Sequence, residues 1–591
     1  MPKRRRKRGS SLERFLPLGY IAAAAVSAVI ILPSALRPPT QQPNQTAELS
    51  PDAPPDKNQT AIIGSLNRAT SGVAALPGGG TEPTTTTLPK EPPPQGNSVV
   101  TVPRACPRGF GNPPRQVESV YAPPCAGPWS GNNGGATWKG VTANEIRIGV
   151  RGLGALGGGN GDCDRNGSID DLIAQGDIDD AVKTWYALEQ YFNKNFQLYG
   201  RRLSFYCIEP TTQSVADEEN EAVAADQESK IFASGWTYSE ACVELARRQV
   251  ISMCPELSDS WYQKFDPYVW SAWPSGTDIV TFTSEMICKQ LAGKKAEWAG
   301  DTTYQSQIRK FALVTWDDRG YGEDARLLVK QVKEQCNVDM EAYFMHPGAG
   351  WGGATTGGDQ ELAEAATKAK ANNVTTMVIG LDGLNGPTFT NHAASQQYFP
   401  EWIVNDGGAL NANGSGGIEN PDEWKHAFGQ SGFGPNLPTA ARECNKAFAS
   451  MDQSDTPDYW LCELEWVDLM LLISGIQQAG PNLNPTTFKG GLQSLGMRYW
   501  PTSWAMGGGF AGGRHTYSHT VSEIWWDPTA QDPSAQSSVG AMRFERNGKR
   551  YCHGQIPSEP SYFKPDPSAV SLPTDFATVP RDAPPTTCPP A

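Results

Sequence analysis

The sequence predicts an α/β protein with two lobes, each built on a parallel sheet flanked by helices. From about residue 138 onward, short apolar strands alternate with amphipathic helical segments, which is the pattern of βαβ units. The alternation starts again near Phe311, which indicates a second lobe of similar construction. A length of 591 residues also exceeds what one hydrophobic core normally holds.

The N-terminal region predicts a transmembrane anchor. Six adjacent Lys/Arg residues lie in the basic segment 1–14, and the apolar segment 15–36 follows. That segment is long enough to cross a bilayer as a helix, and its basic flank stays in the cytoplasm. We expect an uncleaved signal anchor in the cell membrane with the rest of the chain outside the cytoplasm. Removal as a signal peptide, which would give a secreted protein, stays open.

Low-complexity segments flank the body. Residues 37–104 are rich in Pro and Thr and are expected to form a disordered linker. Residues 105–137 form a lead-in held by a disulfide, and residues 564–591 form a Pro-rich tail.

The net charge of −14 is unevenly distributed. Residues 1–37 carry eight basic residues and one acidic residue, so the remainder of the chain is strongly acidic. An acidic surface repels nucleic acid and anionic membranes, so we expect neither as a partner of the folded body.

Twelve cysteines, all beyond the anchor, indicate disulfides in an oxidising compartment. The absence of a C-x-x-C pair argues against a zinc ribbon or thioredoxin-like redox site. Sequence alone does not fix connectivity. The short-range pairing that we predict is Cys106–Cys125, Cys163–Cys207, Cys242–Cys254, Cys288–Cys336, Cys444–Cys462 and Cys552–Cys588.

Strand and helix signals follow one another through both lobes. Hydrophobic patterning and length predict the strands 145–150, 202–208, 230–235, 250–254, 311–316, 340–345, 375–380 and 401–406. The intervening helices are predicted at 182–196, 215–229, 238–249, 284–293, 321–335 and 361–373.

A glycine pattern, Gly152-x-Gly154-x-x-Gly157, follows the first strand. Dinucleotide-binding proteins use this pattern where a helix begins and approaches a pyrophosphate. Here more glycines follow and no helix begins, so we interpret the segment as a loop at the edge of a cleft.

The next stretch, GDCDRNGSIDD, resembles most of a calcium loop. Gly167 occupies the turn position, but Ile173 stands where such loops carry a bidentate acid. Two interpretations of this stretch stay open: a calcium-binding loop, and a turn without a metal that the Cys163 disulfide holds in place. The candidate ligands are Asp162, Asp164, Asn166, Ser168 through its carbonyl, and Asp170.

No motif predicts catalysis. His515 and His519 are four residues apart, but they lie on a predicted loop and strand, where that spacing separates them. No nucleophile elbow, zinc-protease motif or phosphate loop is present in the sequence.

Four segments together resemble a known family. They are TWKGVTANEIRIGV (137–150), ALEQYFNKNFQLYGRRLSF (187–205), VTWDDRGYGEDAR (314–326) and CELEWVDLMLLISGIQQAG (462–480). Their order and spacing over about 138–560 are similar to the type I periplasmic-binding proteins, the Leu/Ile/Val-binding-protein-like solute receptors of ABC transporters.

The resemblance implies two hinged lobes that close on a ligand. It places lobe 1 at 138–309 with a return at about 433–497, and lobe 2 at 310–432 with a return at about 498–563. The ligand-binding positions it implies are Trp236, Thr237, Ser258, Tyr321, Asp382 and Asp406. The family's serine run is replaced here by GWTYS, which puts a plain branched-chain amino acid in doubt.

The function implied is that of an extracytoplasmic receptor without catalytic activity or a required cofactor. It would bind a small polar solute, amino-acid-like or amide-like, and would serve an ABC-transporter permease or act as a sensor. The main alternative is a secreted structural or adhesion module with a degenerate cleft. An exported enzyme is a second alternative, for which an activity dependent on Asp406 would be the evidence.

Overall fold

The computed structural model describes residues 105–107, 114–151, 163, 165–176, 179–209, 215–236, 239–317, 320–346, 358–383, 385–435, 437–453, 455–458, 461–498, 505–532, 540–564 and 588. The predicted anchor (15–36), the linker (37–104) and most of the tail lie outside these residues. Within the described part of the chain, no helix is both long enough and apolar enough to cross a membrane.

The first lobe contains a six-stranded sheet in the order β2-β3-β1-β4-β5-β6. Only β2 is antiparallel to its neighbour. The strands are β1 (Glu145–Arg151), β2 (Gly167–Ser168), β3 (Arg202–Ile208), β4 (Ala233–Trp236), β5 (Ile251–Met253) and β6 (Val269–Trp270). The helices are α1 (Ile169–Ala174), α2 (Asp180–Asn195), α3 (Val215–Ala224), α4 (Ser239–Arg247) and α5 (Asp259–Lys264).

The second lobe begins with a helix and continues as alternating strands and helices. Its strands are β7 (Phe311–Trp316), β8 (Met340–Met345), β9 (Thr376–Gly380), β10 (Glu401–Val404) and β11 (Ala427–Ser431). Its helices are α6 (Gly276–Met286), α7 (Thr302–Gln305), α8 (Tyr321–Cys336), α9 (Gly358–Ala371), α10 (Asn385–Ser395), α11 (Asn413–Ile418) and α12 (Pro421–Trp424).

The chain then returns to each lobe once. Helices α13 (Glu443–Ala449), α14 (Trp466–Ala479) and α15 (Pro485–Ser494) add to the first lobe, where α14 packs on β4 and β5. Strands β12 (Ser522–Asp527) and β13 (Ala541–Phe544) complete the second sheet antiparallel to β11, in the order β13-β12-β11-β10-β9-β7-β8. The predicted α/β architecture of two sheet-based lobes is therefore confirmed.

The second sheet is buried on both faces. Along β7, Ala312 and Val314 pack into one hydrophobic cluster, whereas Phe311 and Leu313 pack into another. Successive side chains of a strand point to opposite faces, so an uninterrupted apolar run such as FALVTW requires a helical layer on each side.

The lobe boundaries differ from the predicted ones in two places. Residues 276–309 were assigned to the first lobe, but α6 packs against α8 and shares its cluster with β7. Residues 505–517 were assigned to the second lobe, but Phe510 and Tyr517 pack in the core of the first. The prediction opened the second lobe at its first strand, whereas the lobe opens with a helix.

The disulfides agree with the predicted pairing in every case. The structure contains Cys106–Cys125, Cys163–Cys207, Cys242–Cys254, Cys288–Cys336, Cys444–Cys462 and Cys552–Cys588.

Candidate ligand-binding cleft

In each sheet the order of the strands reverses at one point, and a crevice forms there at the carboxyl ends of the strands. In the first sheet β1 lies between β3 and β4, and in the second β7 lies between β8 and β9. The connections to the strands on the two sides of β1 therefore run in opposite directions, and the same holds for β7. This opens a gap between the loops at the carboxyl ends of these strands. In this structure the loop after β5 meets the segments that follow β7 and β10.

Glu256, in the loop after β5, reaches from the first lobe into the second. Its carboxylate accepts hydrogen bonds from the Tyr321 hydroxyl and, at 2.8 Å, from the Gly408 backbone N–H. Burial raises the pKa of Glu256 to about 7, and the nearby carboxylates of Asp382 and Asp406 act in the same direction. The two hydrogen bonds oppose the shift because they favour the ionised form.

Glu323 makes the reverse connection, from the second lobe to the first. It lies in the first turn of α8 and accepts from Ser258 Oγ at 3.2 Å, from Ser260 Oγ at 3.0 Å and from Trp261 Nε1 at 3.1 Å. Each lobe therefore supplies one carboxylate that is held by donors of the other. We call Glu256 and Glu323 with these partners the reciprocal latch.

Three chain segments pass between the lobes, near residues 271–275, 432–435 and 514–521. Ser271 N–H donates to the His515 carbonyl at 3.0 Å, which pairs the first and third crossings. The guanidinium of Arg550 donates to the carbonyls of Thr520, Gly432 and Phe433 at 2.8–2.9 Å and so joins the third crossing to the second.

Asp406 belongs to this hinge. Both of its carboxylate oxygens accept from the Gly432 N–H, at 2.7 and 2.8 Å, and one accepts from Asn411 Nδ2 at 2.5 Å. Burial raises its pKa to about 6. These contacts tie the end of β10 to the second crossing, so Asp406 braces the hinge. The binding of a ligand by Asp406, which the family resemblance implies, stays a prediction.

Asp382 is also held by the protein. Its two oxygens accept from the backbone N–H and the side-chain amide of Asn385, at 3.0 and 2.8 Å. It therefore caps the start of α10, in the way that acceptors commonly satisfy a free helix N-terminus.

Of the other predicted ligand-binding residues, two lie at the cleft, and the other two lie wholly or partly outside the described residues. Ser258 and Tyr321 lie at the cleft and belong to the reciprocal latch. Trp236 ends β4, but its side chain and all of Thr237 lie outside the described residues. Sequence reasoning did not name Glu256 or Glu323, although Glu256 lies in the same predicted loop as Ser258.

Two of the candidate calcium ligands, Asp162 and Asp164, lie outside the described residues. The other three have protein partners: Asn166 accepts from the Glu209 N–H, Ser168 Oγ caps α1, and Asp170 pairs with Arg202. Within the described part of the chain, no group of three metal-binding side chains occurs. Calcium binding stays an untested prediction.

The two histidines lie in the hinge. His519 contacts Asp278 at 3.0 Å, and the His515 ring contacts the Val269 carbonyl at 2.9 Å. Burial lowers the pKa of His515, which therefore stays neutral at physiological pH.

Side chains from both lobes thus meet at the strand ends. No protein-family model matches the sequence, and no curated protein matches it.

Solved structures do resemble the fold. An ABC-transporter solute-binding protein from Rhodopseudomonas palustris, in complex with 3,4-dihydroxybenzoic acid, has a TM-score of 0.47 and 10% identity, covering 69% of this chain and 98% of its own. The leucine-binding protein LivK from Thermotoga maritima has a TM-score of 0.46 and 12% identity, covering 68% and 97%. A branched-chain amino acid ABC transporter protein from Thermus thermophilus with bound valine has a TM-score of 0.46 and 11% identity, covering 70% and 97%.

These neighbours are of the Leu/Ile/Val-binding-protein-like class that the sequence resembles.

Proposed function

We propose that this protein is an extracytoplasmic solute-binding receptor that closes two lobes on a small polar ligand, amino-acid-like or amide-like. The observation that carries the proposal is the meeting of polar groups from both lobes at the carboxyl ends of two parallel sheets, where α/β proteins bind small molecules. Three crossing segments behind the cleft provide the hinge that closure requires.

The receptor would be held at the membrane by residues 15–36 and would reach away from it on the linker 37–104. Closure would alter the surface formed by the two lobes, and an ABC-transporter permease or a signalling partner would recognise that change.

A second candidate function is a structural or adhesion module. The reciprocal latch favours it, because side chains of the chain itself bridge the cleft and take positions that a ligand's polar groups would otherwise occupy.

Thermal unfolding of the full chain in detergent micelles, against a panel of amino acids, amides, short peptides and sugars, distinguishes the two. A ligand at 100 times its dissociation constant adds about 2.7 kcal/mol to the free energy of unfolding, which gives a measurable rise in Tm. A rise with any solute supports the receptor, whereas no rise with the whole panel supports the module.

Parallel samples with calcium or with a chelator test the calcium loop. A Tm that rises with calcium alone and falls with chelator would support a structural calcium site around residues 162–170. Equal Tm values would contradict it.

A further inference from the structure

A cavity extends from the cleft into the second lobe. It lies at the crevice between β7 and β9, under α6 and α8, and its empty volume is about 440 Å³ with its open mouth included. The aliphatic wall is formed by Ile279, Val280, Leu313, Ala325, Leu328 and Val378.

The polar lining of this cavity is acidic. Glu256 and Asp324 contribute carboxylates, and the other polar lining side chains, Thr315, Tyr321 and Asn405, are neutral. Among the residues that the structure describes, those that line the cavity include no Lys, Arg or His. A ligand carboxylate here would face negative charge without a cation to offset it, whereas an ammonium group would be attracted.

Glu256 has acceptor capacity for such a group. Each of its oxygens accepts one hydrogen bond, from Tyr321 or from Gly408, and an ionised carboxylate has about four acceptor positions. A cation beside a half-buried carboxylate favours its ionised form and offsets the burial that raises its pKa.

Arg550 is a buried cation of the hinge. Its guanidinium donates to the carbonyls of Thr520, Gly432 and Phe433, so it is engaged within the hinge and does not line the cavity.

We infer that the cavity binds a small aliphatic amine, with its ammonium at Glu256 and Asp324 and its hydrocarbon body against the aliphatic wall. This inference rests on the proposed receptor function but departs from its amino-acid-like or amide-like ligand, since the bound group is an amine without a neighbouring carboxylate. An α-amino acid would bring its carboxylate to the same acidic mouth.

The test compares four probes of one carbon skeleton by calorimetry and thermal unfolding of the full chain at pH 8. They are 3-methylbutylamine, 3-methylbutanoate, 3-methyl-1-butanol and leucine. The amine is expected to raise Tm and to bind at least tenfold more tightly than each of the other three.

Three variants locate the site. Asp324→Asn removes one carboxylate and Ala325→Leu fills the cavity while leaving both carboxylates, and each should weaken amine binding at least tenfold. Glu364→Gln, which removes an exposed carboxylate on α9, should leave it unchanged. Circular dichroism and the ligand-free Tm show whether each variant is folded, and the Ala325 variant keeps the test valid if Asp324→Asn is unstable.

The failures are distinguishable. Equal binding of leucine, the acid or the alcohol, or full amine binding by Ala325→Leu, overturns the amine inference and leaves the receptor standing. If neither these probes nor the wider solute panel changes Tm, the receptor function itself fails.

Discussion

Glu256 shows how a single residue connects the two lobes. Its backbone has φ +63°, a left-handed conformation that costs a non-glycine residue on the order of 1–3 kcal/mol. The conformation coincides with a carboxylate that reaches across the cleft to Tyr321 and Gly408. The surrounding contacts maintain the strain, as is common at binding sites.

The backbone conformation and close packing of Gly408 lead to a testable prediction. Gly408 has φ +61°, and a Cβ there would lie 2.2 Å from the Leu381 carbonyl oxygen and 2.5 Å from Asp382 Cα. Gly408→Ala should therefore destabilise the protein by about 2–5 kcal/mol, from left-handed strain and steric overlap together. Thermal unfolding measures the loss.

Gly512→Ala is the matched control. Its φ of +76° and ψ of +19° lie in the same left-handed region as those of Gly408, but nothing lies within 4 Å of the added Cβ. It should cost only the strain, about 1–2 kcal/mol. Equal losses for the two variants would contradict the close approach at Gly408.

For single residues, the sequence predicted the place in the fold better than it predicted the contacts of the side chain. Ser258 and Tyr321 lie where the two lobes meet, and their binding of a ligand stays a prediction. Asp382 and Asp406 follow strands β9 and β10, but each carboxylate is used by backbone or side-chain donors of the protein. Strand ends are visible in the hydrophobic pattern, whereas the partner of a carboxylate depends on segments distant in the chain.

The first turn of α8 is the element on which both lobes depend. Tyr321 donates to Glu256, Glu323 accepts from three donors of the first lobe, and Asp324 lines the cavity. One helical turn thus combines the contact between the lobes with part of the cavity lining.

Removing the charge of Glu323 should shift the lobes toward an open arrangement. Glu323→Gln keeps the side-chain volume but weakens three hydrogen bonds that use an ionised acceptor, at a cost of about 1–2 kcal/mol. We expect a larger radius of gyration in small-angle X-ray scattering.

Glu364→Gln on α9 serves as the control, because it removes the same charge outside the cleft and should leave the radius of gyration unchanged. An unchanged radius in Glu323→Gln as well would mean that its bonds do not hold the lobes together.

The strands that were predicted most accurately are those with the strongest local sequence pattern. Strands β3, β7 and β8 have the predicted bounds, since each is a short run of apolar and β-favouring residues. The lobe assignment of α6 was wrong because a helix preceding a strand can pack on either lobe. Only its contact with α8 decides between them.

Across the residues that the structure describes, many carboxyl groups are buried and bind protons more readily for that reason. Burial raises the pKa of seven carboxyl groups to between about 6 and 8: Glu189, Glu218, Glu256, Asp406, Glu419, Glu423 and Asp468. These groups bind protons more readily in the folded state than in the unfolded state.

Stability should therefore fall as pH rises from about 4.5 to 8, since the unfolded chain releases these protons first. His426 and His515, whose pKa values burial lowers, act in the opposite direction below pH 6.5 but are fewer. We expect a lower Tm at pH 8 than at pH 5.5 by thermal unfolding under non-reducing conditions.

The variant Glu423→Gln tests whether buried carboxyl groups cause this pH dependence. It should retain an acceptor for Trp402 Nε1, now 3.1 Å from the carboxylate, and remove one group whose pKa is raised to about 8. Its Tm should depend less steeply on pH than that of the unaltered chain. A Tm that rises toward pH 8 in the unaltered chain would contradict the buried-acid account.

The positions of the disulfides have a mechanical consequence. Each of the six joins parts of the same lobe or its adjoining segment, and none joins the two lobes. The lead-in is bonded to the first lobe through Gln116, whose side-chain amide donates to the Asn195 carbonyl of α2, whereas Cys588 is linked to the second lobe through Cys552. Tension between the lead-in and Cys588 would therefore pull on opposite lobes, so a load would open the cleft before it unravelled either half.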